Sequence, residues 1–220
     1  MLKIYGADLS SPANKVRFTA NYLGFQYEYV KVDLRSGEHM KPEYKKVHPA
    51  NKIPAIDDDG FTLFESNAII RYLADKKGSP LYPKELKARA IVEQWLDFGS
   101  MHVGMALAKV VYNRVFAPMR GQPADENSIK EGLGFLDRFL PVVDEQLGRH
   151  KFLVGENLTL ADINLLALLD PAESAGVALT NYKSLSRWRD ALKQEPFYTK
   201  CFKDYGDVIR ARQAAMQKAQ

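Results

Sequence analysis

Residues 50–72 read Ala-Asn-Lys-Ile-Pro-Ala-Ile-Asp-Asp-Asp-Gly-Phe-Thr-Leu-Phe-Glu-Ser-Asn-Ala-Ile-Ile-Arg-Tyr, and this stretch decides the fold. Pro54 cannot donate a backbone hydrogen bond, so it marks the start of a strand or a bend rather than a strand interior. The Asp-Asp-Asp-Gly sequence at 57–60 is typical of a tight turn, and the apolar residues 61–64 after it predict a second short strand. A Glu-Ser pair then opens an amphipathic helix. The stretch therefore predicts a hairpin followed at once by a helix.

The Glu65-Ser66 pair is the part of this stretch that indicates a ligand. A serine at a helix start normally caps the helix. Here a carboxylate also lies beside several N–H groups of the helix terminus, and those groups attract anions. One positive and one negative subsite side by side suit a zwitterionic amino acid.

Taken together, Ile-Pro before a two-stranded hairpin, Phe-Glu-Ser after it and Arg-Tyr-Leu-Ala in the next helix resemble the glutathione-binding half of the glutathione transferases. The resemblance implies that the backbone of Ile53, ahead of a cis bond to Pro54, pairs with the cysteinyl unit of glutathione. It also implies that Glu65 and Ser66 hold the γ-glutamyl end. The residues themselves leave open whether the bond is cis or trans.

The preceding residues complete a small α/β domain. Residues 2–5 predict a buried strand, a helix follows with its end at Gly24, and residues 26–32 predict a second strand. A short helix is expected at about residues 41–47. The order strand, helix, strand, helix, strand, strand, helix predicts a thioredoxin-like domain over residues 1–78.

The rest of the chain predicts a second, all-helical domain over residues 88–220, after a Gly- and Pro-containing linker at 79–87. Apolar residues recur there at spacings of three and four. Thr159 followed by Asp162 predicts a helix cap in which Asp162 is structural rather than catalytic. The Ala- and Gln-rich tail after Arg210 predicts the end of a helix.

Composition limits the partners and the compartment. The net charge of +4 comes from scattered Lys and Arg with no basic run, which argues against nucleic acid. Cys201 is the only cysteine, so no internal disulfide can form and a reducing compartment is expected. Neither a signal peptide nor an apolar run of membrane-spanning length is apparent, which predicts a cytoplasmic protein without membrane contact. We expect no metal, because no ligand spacing relates Cys201 to the four histidines, which are His39, His48, His102 and His150.

Two adjacent serines are candidates for activating the glutathione thiol. Pro12 suits the first helical position, which makes Ser11 the predicted N-cap and leaves Ser10 free to point elsewhere. The resemblance agrees with Ser10, since phi, theta and delta-like classes place the catalytic hydroxyl four residues after the strand-ending Gly6 and six before the apolar Val16. Ser10 is therefore the predicted catalytic residue, with Ser11 as the alternate.

The glycyl carboxylate of glutathione needs cationic or N–H donors, and His39 and Lys52 are the candidates. The Glu-His-Lys pattern of the phi class becomes Glu-His-Met-Lys here. Met40 therefore stands where that pattern has lysine, and Lys41 is a further candidate one residue later.

The acceptor pocket is predicted where the first helix of the second domain faces the thiol. Its candidate lining is His102, Met105, Ala106, Tyr112 and Phe116. A lining of Met and aromatic residues suits an apolar electrophile. By resemblance the protein is expected to be a homodimer.

These residues predict a glutathione transferase of the serine type with phi-like features, which attaches the glutathione thiolate to an apolar electrophile in a detoxification reaction. Two alternatives stay open. One is glutathione-dependent peroxidase, isomerase or dehalogenase chemistry on the same fold. The other is a non-catalytic interaction module, as in the glutathione-transferase-like domains of translation factors.

Overall fold

One four-stranded sheet forms the centre of the first domain. The computed structural model describes residues 1–217, apart from the side chains at 212, 213 and 215–217. The strands are β1 (Leu2–Gly6), β2 (Tyr27–Lys31), β3 (Ala55–Asp58) and β4 (Phe61–Phe64). They lie in the order β2-β1-β3-β4, with β1 parallel to β2, β3 antiparallel to β1, and β4 antiparallel to β3. All four predicted strands are confirmed.

Helices cover both faces of this sheet. They are α1 (Ser11–Tyr22), α2 (Pro42–Lys45) and α3 (Ser66–Lys76), with a 3-10 turn at Glu38–Met40. Alternate residues of β1 point to opposite faces. Ile4 lies in the apolar core with Val16 of α1 and Ile69 of α3, whereas the ring of Tyr5 packs edge-on against Tyr44 of α2, 6.0 Å away. The thioredoxin-like arrangement is confirmed.

In its described residues the second domain consists of helices joined by loops, with an isolated bridge between Phe152 and Gly155 in place of any strand. Its helices are α4 (Leu86–Asp97), α5 (Met105–Val111), α6 (Ala117–Met119), α7 (Glu126–Arg149), α8 (Leu160–Leu169), α9 (Lys183–Lys193), α10 (Pro196–Thr199) and α11 (Tyr205–Gln217). π-helical turns at Phe98–Gly104 and Tyr112–Phe116 make α4 to α6 one continuous rod, and a 3-10 turn follows α8 at Glu173–Ala175. Helix α4 begins inside the predicted linker 79–87, and the last three residues of the predicted domain and tail, 218–220, lie outside the described residues.

Helix α8 is the centre of the second domain. Nine of its ten residues are buried, as expected of a helix that is apolar on every side. Its first turn is fixed by Asp162, whose carboxylate accepts hydrogen bonds from the backbone N–H (3.0 Å) and hydroxyl (3.0 Å) of Thr159. The same carboxylate accepts from the N–H of Leu153 (2.9 Å) and the indole of Trp188 (3.2 Å). The predicted structural role of Asp162 is confirmed.

Helix α1 joins the two domains. The ring of Phe18 packs against Tyr198 at 4.9 Å and against Phe197 at 6.2 Å, both from α10. The hydroxyl of Tyr205 donates to the carbonyl of Leu9 at 2.7 Å. The loop that leads into α1 is thus held by the second domain as well as by the sheet.

Within the described part of the chain, no helix has both the length and the apolar character needed to cross a membrane.

Replacing Asp162 with alanine is expected to destabilise the protein strongly. The change leaves the buried groups around Asp162 without an acceptor, and we expect the free energy of unfolding to fall by about 3 kcal/mol. Urea unfolding followed by circular dichroism measures this. Asp137→Ala, an exposed position on α7, is the matched control and should change stability by less than about 0.5 kcal/mol. Equal effects of the two changes would contradict the role given to Asp162.

Candidate active site

The strand register brings the predicted glutathione-binding segments to one edge of the sheet. Tyr5 of β1 pairs with Ala55 at the start of β3, and Ala55 pairs with Phe64 at the end of β4. Gly6 pairs with Lys31 at the end of β2. The loop before α1, the Ile-Pro bond, the Glu-Ser pair and the segment with His39 therefore all leave the sheet at this edge.

Ser10, not Ser11, is the N-cap of α1, so the predicted cap was wrong by one residue. The hydroxyl oxygen of Ser10 accepts from the backbone N–H of Ala13 at 3.3 Å. Ser11 is the first helical residue and Pro12 the second. The error has a simple cause: none of the first backbone N–H groups of a helix has an intrahelical partner, so proline fits the second position as well as the first.

The cap still leaves the Ser10 hydroxyl able to donate a hydrogen bond. A serine hydroxyl has one proton to donate and two lone pairs, and the bond from Ala13 uses only one lone pair. Among the described contacts, the Ser10 hydroxyl donates to no group. Its proton is therefore available at the positive end of a twelve-residue helix.

The loop before Ser10 is fixed by Asp8. Its carboxylate pairs with Lys31 at 2.7 Å and with Arg17 at 3.4 Å, and its backbone carbonyl accepts from the side chain of Asn14 at 2.8 Å. These contacts attach the loop to β2 and to α1. Ser10 is therefore presented from a fixed turn.

The Ile53-Pro54 peptide bond is cis, which settles what the sequence left open. Pro54 is buried. The carbonyl of Lys52 just before it accepts from the hydroxyl of Tyr44 at 2.8 Å. The backbone of Ile53 is thus held at the sheet edge, and its pairing with glutathione stays a prediction.

Glu65 and Ser66 lie at the junction of β4 and α3. Ser66 is the first residue of α3, and the carbonyl of Glu65 accepts from the N–H of Ile69 at 2.9 Å. Glu65 is exposed and has φ of 70° and ψ of 108°. A glutamate seldom adopts such a backbone, whereas Asn51 and Asp59, also at positive φ, are of types that tolerate it better.

The candidates for the glycyl carboxylate lie in two segments. His39 is in the 3-10 turn after β2, and its buried Nδ1 has no hydrogen-bond partner among the residues that the structure describes. Lys52 and Lys41 are both exposed, and Met40 is 61% exposed. His48, to which the sequence assigned no role, packs against Phe64 with the two rings tilted and their centres 4.9 Å apart, and burial lowers the pKa of His48.

The five acceptor-pocket candidates do not all point the same way. The ring of His102 lies 4.9 Å from that of Phe139 on α7, and Ala106 is buried with its carbonyl close to Gly132 of α7. Met105 and Tyr112 are exposed, and Tyr112 donates to Gln122 at 2.9 Å. Phe116 is half-buried. His102 and Ala106 thus contact α7, and the pocket role of all five stays a prediction.

Three or more His, Cys, Asp or Glu side chains that could share a metal ion are not found together in the described part of the chain.

The sequence reading missed a buried polar group where the domains meet. Lys15 of α1 is only 3% exposed. Its ammonium donates to the side-chain oxygens of Asn67 on α3, at 2.7 Å, and of Asn164 on α8, at 2.5 Å. No local signal could have found this group, because its members are far apart in the chain.

A thioredoxin-like domain with a cis-proline at its sheet edge, joined to a helical domain, defines a class of two-domain glutathione-binding proteins. The family model for the glutathione S-transferase N-terminal domain matches residues 1–75, and that for the C-terminal domain matches residues 107–196. The chain belongs to the glutathione S-transferase family.

Its relatives include plant members of this family. Glutathione S-transferase F10 of Arabidopsis thaliana is 37% identical over 199 residues, which cover 87% of this chain and 92% of the relative. The crystal structure of glutathione transferase F7 from Populus trichocarpa superposes with a TM-score of 0.85 at 29% identity, covering 91% of this chain and 97% of that one. A structure of glutathione S-transferase-I bound with the ligand lactoylglutathione gives a TM-score of 0.84 at 29% identity, with coverage of 91% and 97%.

Glu65→Gly is expected to stabilise the protein. Glycine adopts the positive φ of this position without strain, so the free energy of unfolding should rise by about 1 kcal/mol. Urea unfolding measures the change. Glu65→Ala removes the same carboxylate but keeps the strain, so it should not stabilise. Equal stabilisation by both changes would mean that charge, not backbone strain, is the cause.

Proposed function

We propose that this protein is a glutathione transferase that joins the thiolate of glutathione to an apolar electrophile and forms a thioether. The observation that carries the proposal is the meeting of Ser10, the cis Ile53-Pro54 bond and Glu65-Ser66 at one sheet edge, in a chain of this family. The ligand of the related glutathione S-transferase-I, lactoylglutathione, contains glutathione, which supports the same ligand class here.

Ser10 is the proposed catalytic residue. The thiol of glutathione is mostly protonated near neutral pH, and only the thiolate is a good nucleophile. A hydrogen bond from the Ser10 hydroxyl to the thiolate contributes about 1.5 to 3 kcal/mol, which lowers the thiol pKa by roughly one to two units. The bond from Ala13 to the Ser10 oxygen favours a geometry in which the hydroxyl proton points away from the helix.

The rest of glutathione follows the sheet edge. Ser66 and the N–H groups of α3 bind the γ-glutamyl carboxylate, and Glu65 binds the ammonium beside it. The backbone of Ile53, held next to Pro54, pairs with the cysteinyl unit. His39 and Lys52 bind the glycyl carboxylate, with Lys41 as a further donor at the rim.

The electrophile binds between this edge and the second domain. Met105 and Tyr112, which are exposed, and Phe116, which is half-buried, supply the apolar surface. His102 and Ala106, which contact α7, border it. Conjugation of apolar electrophiles is a detoxification reaction, and the reducing conditions that suit a free thiol fit a cytoplasmic location. Peroxidase, isomerase and dehalogenase reactions would use the same thiolate.

A homodimer is the proposed assembly. Phe61 and Phe64 on β4 are 50% and 38% exposed, and Ile91 on α4 is 42% exposed. Strand β4 is next to α3 through Phe61 and Tyr72, whose rings lie 5.2 Å apart, and α3 is joined to α4 by the ion pair of Arg71 with Glu93. Exposed aromatic and aliphatic residues on adjoining elements are typical of a surface covered by a second copy.

Ser10→Ala is expected to lower kcat/KM for the conjugation of chlorodinitrobenzene by about tenfold to a hundredfold, because it removes the hydrogen bond to the thiolate. Steady-state kinetics measures this. Glutathione affinity by calorimetry should change little, since the rest of the tripeptide keeps its contacts.

Ser11→Ala is the matched control, one residue further on, and should keep most of the activity. The opposite result, with Ser10→Ala active and Ser11→Ala inactive, would assign catalysis to the other hydroxyl. Glutathione binding by the wild-type protein without turnover of any electrophile would favour the interaction module, and no binding at millimolar glutathione would contradict the proposed function.

Phe61→Glu is expected to convert the dimer to monomer, because a charge would then be buried in the apolar interface. Light scattering after size exclusion measures the mass. Val142→Glu, at an exposed position on α7, is the matched control and should stay dimeric. A wild-type protein that is monomeric at micromolar concentration would contradict the proposed assembly.

A further inference from the structure

Lys15 is a buried lysine that forms no hydrogen bond or ion pair with a carboxylate in the described part of the chain. Its two hydrogen-bond acceptors, Asn67 and Asn164, are neutral amides. Burial of an ammonium in such surroundings is costly. The pKa of Lys15 is lowered from 10.5 to about 7, mainly by burial and in part by nearby Arg71, while Glu65 opposes the shift.

Hydrogen bonds from the side-chain nitrogens of Asn67 and Asn164 orient both amide oxygens toward the Lys15 ammonium. The side-chain N–H of Asn67 donates to the Ser100 hydroxyl at 3.0 Å, and that of Asn164 donates to the carbonyl of Leu96 at 3.3 Å. With their nitrogens engaged on α4 and the turn after it, both amides present their oxygens to Lys15. Gly99 makes room for this, since a Cβ there would lie 2.9 Å from the Asn164 nitrogen.

The ammonium lies close to the γ-glutamyl end of the proposed site. Asn67, which binds it at 2.7 Å, directly follows Ser66 in the first turn of α3. Lys15 is five residues after Ser10, and side chains of a helix lean toward its N-terminus. The charge is therefore near the N-termini of both α1 and α3.

We propose that Lys15 is a positioning residue for glutathione. Its ammonium attaches the first turn of α3 to α8 of the second domain and supplies a positive charge behind the γ-glutamyl carboxylate. The inference rests on the proposed placing of that carboxylate at Ser66. It adds a residue outside the glutathione-contacting set, and it makes the domain junction part of the binding site.

The affinity for glutathione should then depend on whether the Lys15 side chain is protonated. The charged groups that face Lys15 among the described residues are Arg71 and Glu65, both on α3. A bound carboxylate favours the protonated form, so affinity should be highest below about pH 7 and fall as the pH rises through that value.

The test is calorimetry of S-methylglutathione binding between about pH 6 and 8.5, because this ligand has no thiol to titrate. Wild-type affinity should fall by about fivefold to tenfold over the range, the equivalent of one favourable charge contact. Lys15→Met should bind about tenfold more weakly at the low end and show a clearly smaller fall with pH than wild type, because only the α-amino group of the ligand then contributes to it. Lys109→Met, a half-buried lysine on α5 paired with Glu131, is the control and should behave as wild type.

Asn164→Asp gives a second test that keeps Lys15. A carboxylate beside the ammonium raises its pKa, so the fall in affinity should move to higher pH. An unchanged midpoint in this variant would overturn the proposal, even if Lys15→Met fails to fold.

The remaining outcomes separate this inference from the proposed function. If Lys15 has only a structural role, Lys15→Met should melt at a lower temperature but keep the wild-type pH dependence. That result would overturn this inference and leave the proposed function intact. This inference would also be overturned if Lys15→Met bound S-methylglutathione with wild-type affinity and wild-type pH dependence. Failure of the wild-type protein to bind S-methylglutathione at any pH would overturn both.

Discussion

The position of β3 between β1 and β4 is the constraint on which the site depends. Because β3 is antiparallel to both neighbours, its first residue lies beside the last residues of β1 and β4. The loop before α1 and the two ends of the β3-β4 hairpin therefore leave the sheet at one edge. Backbone hydrogen bonds fix this arrangement, and the side chains at the loops add chemistry to a geometry that already exists.

Helix α1 carries the geometry from the sheet to the second domain. Its N-terminus bears Ser10, and its buried side contacts both the sheet, through Val16, and α10, through Phe18. An element with two buried sides cannot shift without disturbing both cores. The proposed catalytic hydroxyl thus sits on one of the most constrained elements of the molecule.

Asp162 and Lys15 are two buried charged residues with different surroundings. Asp162 accepts four hydrogen bonds within its own domain, so its role is to fix the start of α8. Lys15 is held between the two domains by neutral amides. A protonated lysine held in this way keeps much of its electrostatic influence on a nearby ligand. For this reason the proposed role of Lys15 concerns the site and not the core.

The sequence by itself determined the strands, the organising hairpin, the helical second domain and the capping role of Asp162, because turn residues and hydrophobic spacing act over a few neighbouring positions. It also marked the Glu65-Ser66 pair and the Ile-Pro bond. Only the tertiary structure decided that Ser10 is the cap, that the Ile-Pro bond is cis, and that Lys15 meets Asn164, which is 149 positions away. The physical reason is range: a cap shifted by one residue costs little locally, and a buried ammonium is defined by groups that only folding brings together.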